Sequence, residues 1–138
     1  MGNLDRRSAL TLGFAAASGL AIPSPVVART YDPDFGDEIA PGIRQVHLGS
    51  AASKLSGYTR ISLRDLVFQP GANTYDPSSP NDMISHITEG WLRVRQGETE
   101  WFATSVYGPW TSPKGIKTVH KNTNADVAVM RIIDLLNT

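Results

Sequence analysis

Residues 84–104 read ISHITEGWLRVRQGETEWFAT, and this stretch carries the clearest secondary-structure signal in the chain. Two runs rich in Ile, Thr, Trp and Val, residues 84–89 and 91–95, are separated by Gly90. A Gln-Gly pair then predicts a hairpin turn into another strand over residues 98–104. β-Branched and aromatic residues between such turn signals are typical of strands, so the stretch predicts three of them in succession.

Similar runs recur along the rest of the chain. We predict further strands over residues 43–48, 58–68, 117–121 and 127–136. Within 58–68 the apolar residues change parity, which predicts a bulge near Arg64 and Asp65. In residues 127–136 apolar side chains occupy both the odd and the even positions. This favours a strand buried on both faces, with a helix as the competing interpretation. No other segment has the spacing of an amphipathic helix, so the fold class is all-β: a sandwich, barrel or jelly roll.

The amino-acid composition excludes several classes of function and site. The 138 residues suffice for one domain, and the 13 basic and 13 acidic side chains give a formal net charge of zero. A neutral chain lacks the basic surface of a nucleic-acid-binding protein. The absence of cysteine excludes disulfides, thiol catalysis and cysteine-ligated zinc. Only three histidines, His47, His86 and His120, are available for a metal site or for proton transfer.

The first 28 residues have the organisation of a cleaved signal peptide. Arg6 and Arg7 precede an uncharged run over residues 9–22, and Ala28 ends a segment of small residues suited to cleavage. The paired arginines resemble a twin-arginine export signal, and an ordinary secretory signal is the alternative. We therefore expect a periplasmic or secreted protein with no membrane span after cleavage. Residues 29–42, rich in acids, Pro and Gly, are predicted to form an irregular arm before the domain at 43–138.

Two longer stretches resemble the two motifs of a cupin domain. The first is FQPGA at residues 68–72, followed by MISHITEGWLRV at 83–94; the second is GPWTSPKGIKTVHKNT at 108–123. The resemblance implies a single jelly-roll barrel with Gly71, Gly90 and Gly115 at turns, and it implies a homodimer. Cupins include dioxygenases, isomerases and lyases, so the family alone does not specify a reaction.

The usual cupin metal ligands are absent from this sequence. Aligned on the motifs, the positions of the first two histidines fall on about Asp76 and Ser78, the glutamate on Met83, and the third histidine on Thr118. A hydroxyl is a poor ligand for Fe, Mn or Zn. We therefore expect no metal cofactor, with a divalent transition metal held by substitute ligands as the alternative.

Four residues are candidates for the lining of the barrel pocket: His120, Thr118, His86 and Asp76. His120 lies two residues after Thr118, so both side chains point to one face of a strand. His86 lies on the opposite parity from Met83, which turns it away from the position of the metal ligand. His47 is predicted to be solvated, and Asp76 lies in a turn-rich loop.

Two functions remain open at this point. The first is an exported module that binds a small organic molecule, or has a structural role, without the cupin metal. The second is a cupin-type enzyme that uses His120 as a general base, or His120, Asp76 and His86 as substitute metal ligands.

Overall fold

A computed structural model describes residues 29–74 and 78–137 of the chain. It contains nine strands: β1 (Asp37–Ala40), β2 (Ile43–Ala52), β3 (Arg60–Phe68), β4 (Asp82–Glu89), β5 (Trp91–Gln96), β6 (Thr99–Thr104), β7 (Trp110–Ser112), β8 (Thr118–Lys121) and β9 (Ala128–Leu136). No helix in the described ranges is long and apolar enough to cross a membrane. The all-β prediction is confirmed, and residues 128–136 form a strand rather than a helix.

The strands form two antiparallel sheets. The larger has six strands in the order β1-β2-β3-β9-β4-β7, and the smaller has three in the order β6-β5-β8. Inward side chains of both sheets, including Phe68, Ile87, Leu92 and Met130, form one buried apolar core between them. Because side chains alternate along a strand, each strand has one face in this core and one face outside it.

The outer face of the larger sheet carries a second, smaller apolar cluster. Val67, Val127 and Val129 are buried there, and Tyr31 of the N-terminal arm packs over them. This cover explains why the first part of β9 is buried on both faces, as predicted. Ile133 and Leu135, farther along the same outer face, are only half-buried.

The arm at residues 29–42 is not irregular throughout, because it contains β1. Asp37 and Glu38 pair with Gln45 and Arg44 at the edge of the larger sheet. The run of acids, Pro and Gly conceals this strand, because it has only four residues and becomes ordered by pairing with β2. Upstream of β1, the Tyr31 hydroxyl donates to the buried Asp65 carboxylate at 2.6 Å.

The predicted bulge lies in the neighbouring strand. β3 pairs with β9 in continuous register from Arg60 to Phe68, whereas the register of β2 against β3 shifts between His47 and Gly49. The change of apolar parity in β3 has a different cause: Leu66 and Phe68 face the core, and Val67 faces the outer cluster. A strand with apolar side chains on both faces therefore gives the same sequence pattern as a strand whose alternation is shifted by a bulge.

Gly71, Gly90 and Gly115 have positive φ angles of 82°, 70° and 84°, as expected for turn positions. Their surroundings differ. A Cβ at Gly90 would lie 3.1 Å from the Val127 carbonyl oxygen and 3.3 Å from Ala128, whereas a Cβ at Gly115 would meet no atom within 4 Å.

We expect Gly115→Ala to cost about 1–2 kcal/mol, which is the strain of a left-handed backbone. Gly90→Ala should cost at least about 1 kcal/mol more, because backbone atoms must also move away from the new methyl group. Urea denaturation of both variants measures the difference. Equal losses of stability in the two variants would contradict the close packing at Gly90.

Candidate functional site

β8 directs Thr118 and His120 into the interior of the barrel. Both side chains are buried, at 1% and 5% exposure, while Val119 between them is less buried and lies on the other face. The strand pairs with β5, which places His120 opposite Val94 and Thr118 opposite Gln96. The prediction that these two side chains share an inward face is confirmed.

The imidazole of His120 lies among aromatic rings. Its ring centroid is 6.3 Å from that of Phe68 and 6.2 Å from that of Trp110. Neither ring nitrogen has a hydrogen-bond partner within the described residues, although both atoms are buried. Burial, and to a smaller extent the positive charge of Arg64, lowers the pKa of His120 to about 4. The ring is therefore neutral at physiological pH.

Two more unpaired polar atoms come from the larger sheet. The Trp110 indole Nε1 and the Ser85 hydroxyl are buried, and neither has a hydrogen-bond partner in the described ranges. Ser85 and Trp110 lie directly opposite each other in the β4–β7 pair. We call His120, Trp110 and Ser85 the interior polar site. Buried polar groups are nearly always hydrogen-bonded, so a cluster of unpaired ones marks a place for a ligand or water.

Thr118, at the position of the third metal ligand, is already hydrogen-bonded. The Gln96 amide Nε2 donates to the Thr118 hydroxyl at 3.1 Å and to the Ser112 hydroxyl at 3.3 Å. The same amide donates to the Thr111 carbonyl oxygen at 3.1 Å. The bonds to Thr111 and Ser112 link Gln96 of the smaller sheet to β7 of the larger one, whereas the bond to Thr118 lies within the smaller sheet. Gln96 therefore connects the two sheets.

Met83, at the position of the metal-binding glutamate, faces a guanidinium group. An Arg64 nitrogen lies 3.6 Å from the Met83 sulfur. The Arg64 guanidinium also donates to both Asp134 carboxylate oxygens, at 2.8 and 3.2 Å, and to the Gln45 side-chain oxygen at 2.8 Å. Asn81 completes the network by donating to Asp134 at 3.1 Å.

This donor set does not fit the cupin metal. A thioether and an occupied hydroxyl stand at two of the four ligand positions, and a cationic guanidinium group lies beside the first of them. Within residues 29–74 and 78–137, no three His, Asp or Glu side chains come close enough together to hold a metal ion.

Of the other two predicted candidates, His86 lies outside the interior polar site. His86 is half-buried on the outer face of β4, opposite Arg131, while its neighbours Ser85 and Ile87 point inward. Asp76 lies outside the described residues. His47 is exposed, as predicted, with a ring nitrogen 3.1 Å from the Gln45 amide nitrogen. Of the four candidates, the structure brings together Thr118 and His120.

Sequence reasoning did not select Arg64, Asp134 or Ser85 for the site. One signal was available for Arg64. It lies two residues before Leu66 and four before Phe68 on the same strand, so its side chain points to the same, inward face. Its partner Asp134 lies 70 residues away in sequence, and no local pattern links the two. Ser85 resembles an ordinary strand residue, and a tryptophan such as Trp110 can line a pocket but is more often part of a core. Their missing hydrogen-bond partners distinguish them.

Comparison with known proteins identifies the architecture. No family model and no curated protein matches the sequence. Among solved structures, an RmlC-like cupin from Shewanella frigidimarina superposes with a TM-score of 0.58, over 83% of this chain and 93% of that chain, at 14% identity. The Schizosaccharomyces pombe Cnp3 cupin domain gives a TM-score of 0.55 over 86% of this chain and 74% of that chain, at 17% identity.

A third solved structure, KdgF from Halomonas sp., gives a TM-score of 0.56 over 72% of this chain and 84% of that chain, at 15% identity. At such identities the likeness concerns the fold alone. The two antiparallel sheets, the core between them and these neighbours lead to one conclusion: the chain has the cupin fold, a single jelly-roll barrel.

Proposed function

We propose that this protein is a metal-free cupin module that binds a small organic molecule at the interior polar site. The observation that carries the proposal is the His120 ring, which is buried, neutral and unpaired at both nitrogens within the described residues. An unpaired buried polar group costs about 1–3 kcal/mol. Two ring nitrogens, an indole nitrogen and a hydroxyl in one cluster therefore favour occupancy by a partner with complementary polar atoms.

The enzyme alternative is less well supported by the same residue. A general base works best when its pKa is near the operating pH. With a pKa of about 4, the His120 imidazole takes up a proton poorly at neutral pH, although it accepts a hydrogen bond readily. The site is therefore better suited to recognition than to proton abstraction.

Metal analysis and ligand binding test the proposal together. Protein purified from a periplasmic preparation should contain no near-equimolar Fe, Mn, Ni or Zn by plasma mass spectrometry. In a fragment screen by ligand-detected NMR, His120→Ala should weaken the binding of hits at least about tenfold, through lost hydrogen bonds and lost shape. The exposed His47 gives the matched control, and His47→Ala should change neither metal content nor binding. An equimolar metal that disappears in His120→Ala would support the enzyme alternative instead.

We also infer that the chain is exported and cleaved after Ala28. Support comes from the sequence of residues 1–28, which lie outside the described residues. The contacts of the arm after Ala28 show what would hold it in place once the chain is cleaved. Arg29 pairs with Asp126 at 2.7 Å, and the Thr30 amide donates to Glu89 at 2.8 Å. Cleavage at this point would leave the arm attached to the barrel.

Mass spectrometry of the exported protein should give a chain that starts at Arg29. Replacing Arg6 and Arg7 with lysine should abolish export if the twin-arginine route is used, because that route requires the guanidinium pair. Unimpaired export of the double variant would instead indicate the general secretory route, and a chain that starts elsewhere would contradict the cleavage site.

The homodimer implied by the resemblance to cupins remains a proposal. Its support is the edge of β2: β1 pairs with this strand only from Ile43 to Gln45. The strand continues to Ala52 through residues without Asp, Glu, Lys or Arg. An uncharged edge of this kind is suited to pairing with another strand.

A further inference from the structure

The polar atoms of the interior polar site restrict the hydrogen bonds that its ligand can make. The Trp110 indole can only donate, a neutral His120 ring has one donor and one acceptor, and the Ser85 hydroxyl has both. All three side chains lack a hydrogen-bond partner among the described residues. A complementary ligand must therefore carry at least one acceptor, for Trp110 and the N–H of His120, and one donor for the other His120 nitrogen.

Among the described residues, the charges near the site offer no strong ionic anchor for the ligand. The positive charge that acts on His120 belongs to Arg64, and its guanidinium is already bound by both oxygens of Asp134. This pair is internally neutralised and is further held by Gln45 and Asn81. A charged ligand would lose its hydration without gaining a free counter-charge from the described part of the chain, which is costly inside a protein.

Aromatic side chains form the surroundings of the site. The ring centroids of Phe68 and Trp110 lie 6.3 and 6.2 Å from that of His120, and both rings are tilted against it. Trp101 contacts Trp110 edge-to-face at 6.0 Å. Flat apolar groups pack well against such rings, in stacked or edge-to-face geometry.

We propose that the interior polar site is specific for a flat, uncharged molecule that carries a hydrogen-bond acceptor next to a donor, as in an aromatic amide or a lactam. This inference rests on the proposed function and names the chemical class of its ligand. The carbonyl oxygen of such a group would accept from the Trp110 indole or the His120 ring. Its N–H would donate to the unprotonated nitrogen of His120.

Three probes of nearly equal size separate the charge classes: benzamide, benzoate and benzylammonium. Binding is measured by the fluorescence of the tryptophans and by the side-chain ¹⁵N resonances of His120 in labelled protein. We expect benzamide to give saturable changes in both signals at pH 7, and benzoate and benzylammonium to bind at least about tenfold more weakly. This difference reflects the desolvation of a charge without a partner.

Two variants test the assignment to individual atoms. Trp110→Phe keeps an aromatic ring but removes the N–H donor. It should weaken the binding of benzamide about three- to tenfold, the usual effect of one hydrogen bond. His120→Leu should weaken benzamide binding more, whereas His47→Leu, at an exposed position, should leave benzamide binding unchanged. Circular dichroism confirms that each variant is folded before binding is compared.

Several outcomes would overturn the inference. Benzoate or benzylammonium binding as tightly as benzamide would show that the site selects a charge or has no selectivity. If the His120 resonances respond to none of the three probes, the site does not bind amides of this kind, and water is its occupant. Failure of the proposed function is a separate result: a near-equimolar metal that depends on His120, measured without any of these probes.

Discussion

Replacing Asp134 with alanine should lower the free energy of unfolding by about 3 kcal/mol or more. Asp134 and Arg64 are largely buried, with side-chain exposures of 10% and 20%, and their closest atoms are 2.8 Å apart. Removing one member of such a pair leaves an uncompensated charge inside the protein, which typically costs about 3–5 kcal/mol. Urea denaturation at pH 7 measures the loss.

A double variant separates the charge effect from packing. Arg64→Met combined with Asp134→Leu removes both charges, and the free energy of unfolding should recover to within about 1–2 kcal/mol of wild type. The matched control is Glu100→Ala, which breaks a pair with Arg93 that is about half-exposed on both sides. This control should cost less than about 1 kcal/mol. Equal losses in Asp134→Ala and Glu100→Ala would contradict the interior position of the Arg64 pair.

The stability of the protein should depend on pH through His120. The pKa of this buried ring is about 4 in the folded state, against 6.5 for an ordinary histidine, mainly because burial disfavours the charged form. Between these two values the unfolded chain binds the proton more readily than the folded one. The stability from the neutral ring is therefore complete above pH 6.5 and is lost as the pH falls toward 4, by about 3 kcal/mol in total.

His120→Leu isolates this contribution, because leucine cannot titrate. The wild-type free energy of unfolding, measured relative to that of His120→Leu, should be constant above about pH 7 and should fall by about 3 kcal/mol between pH 6.5 and 4. His47→Leu, at an exposed position, should show the same pH dependence of the free energy of unfolding as the wild type. A wild-type profile parallel to that of His120→Leu over the whole range would mean that His120 is hydrated or hydrogen-bonded in solution.

Most of the strands, and the shared face of Thr118 and His120, follow from the sequence alone. Period-two alternation and turn residues are local signals. They predicted strands over 91–95, 98–104 and 127–136, and the structure has strands at Trp91–Gln96, Thr99–Thr104 and Ala128–Leu136. The same alternation put Thr118 and His120 on one face and turned His86 to the other. Side-chain direction along a strand is a property of the backbone, so it needs no knowledge of distant residues.

Only the tertiary structure decided what those side chains meet. The order β3-β9-β4 brings Arg64 to Asp134, and it leaves His120 without a partner for either ring nitrogen among the described residues. It also let β1 form, since four residues rich in acids become a strand only where the edge of β2 supplies hydrogen bonds. Pairings between residues far apart in sequence depend on strand order and register, and alternation along one strand contains no information about either.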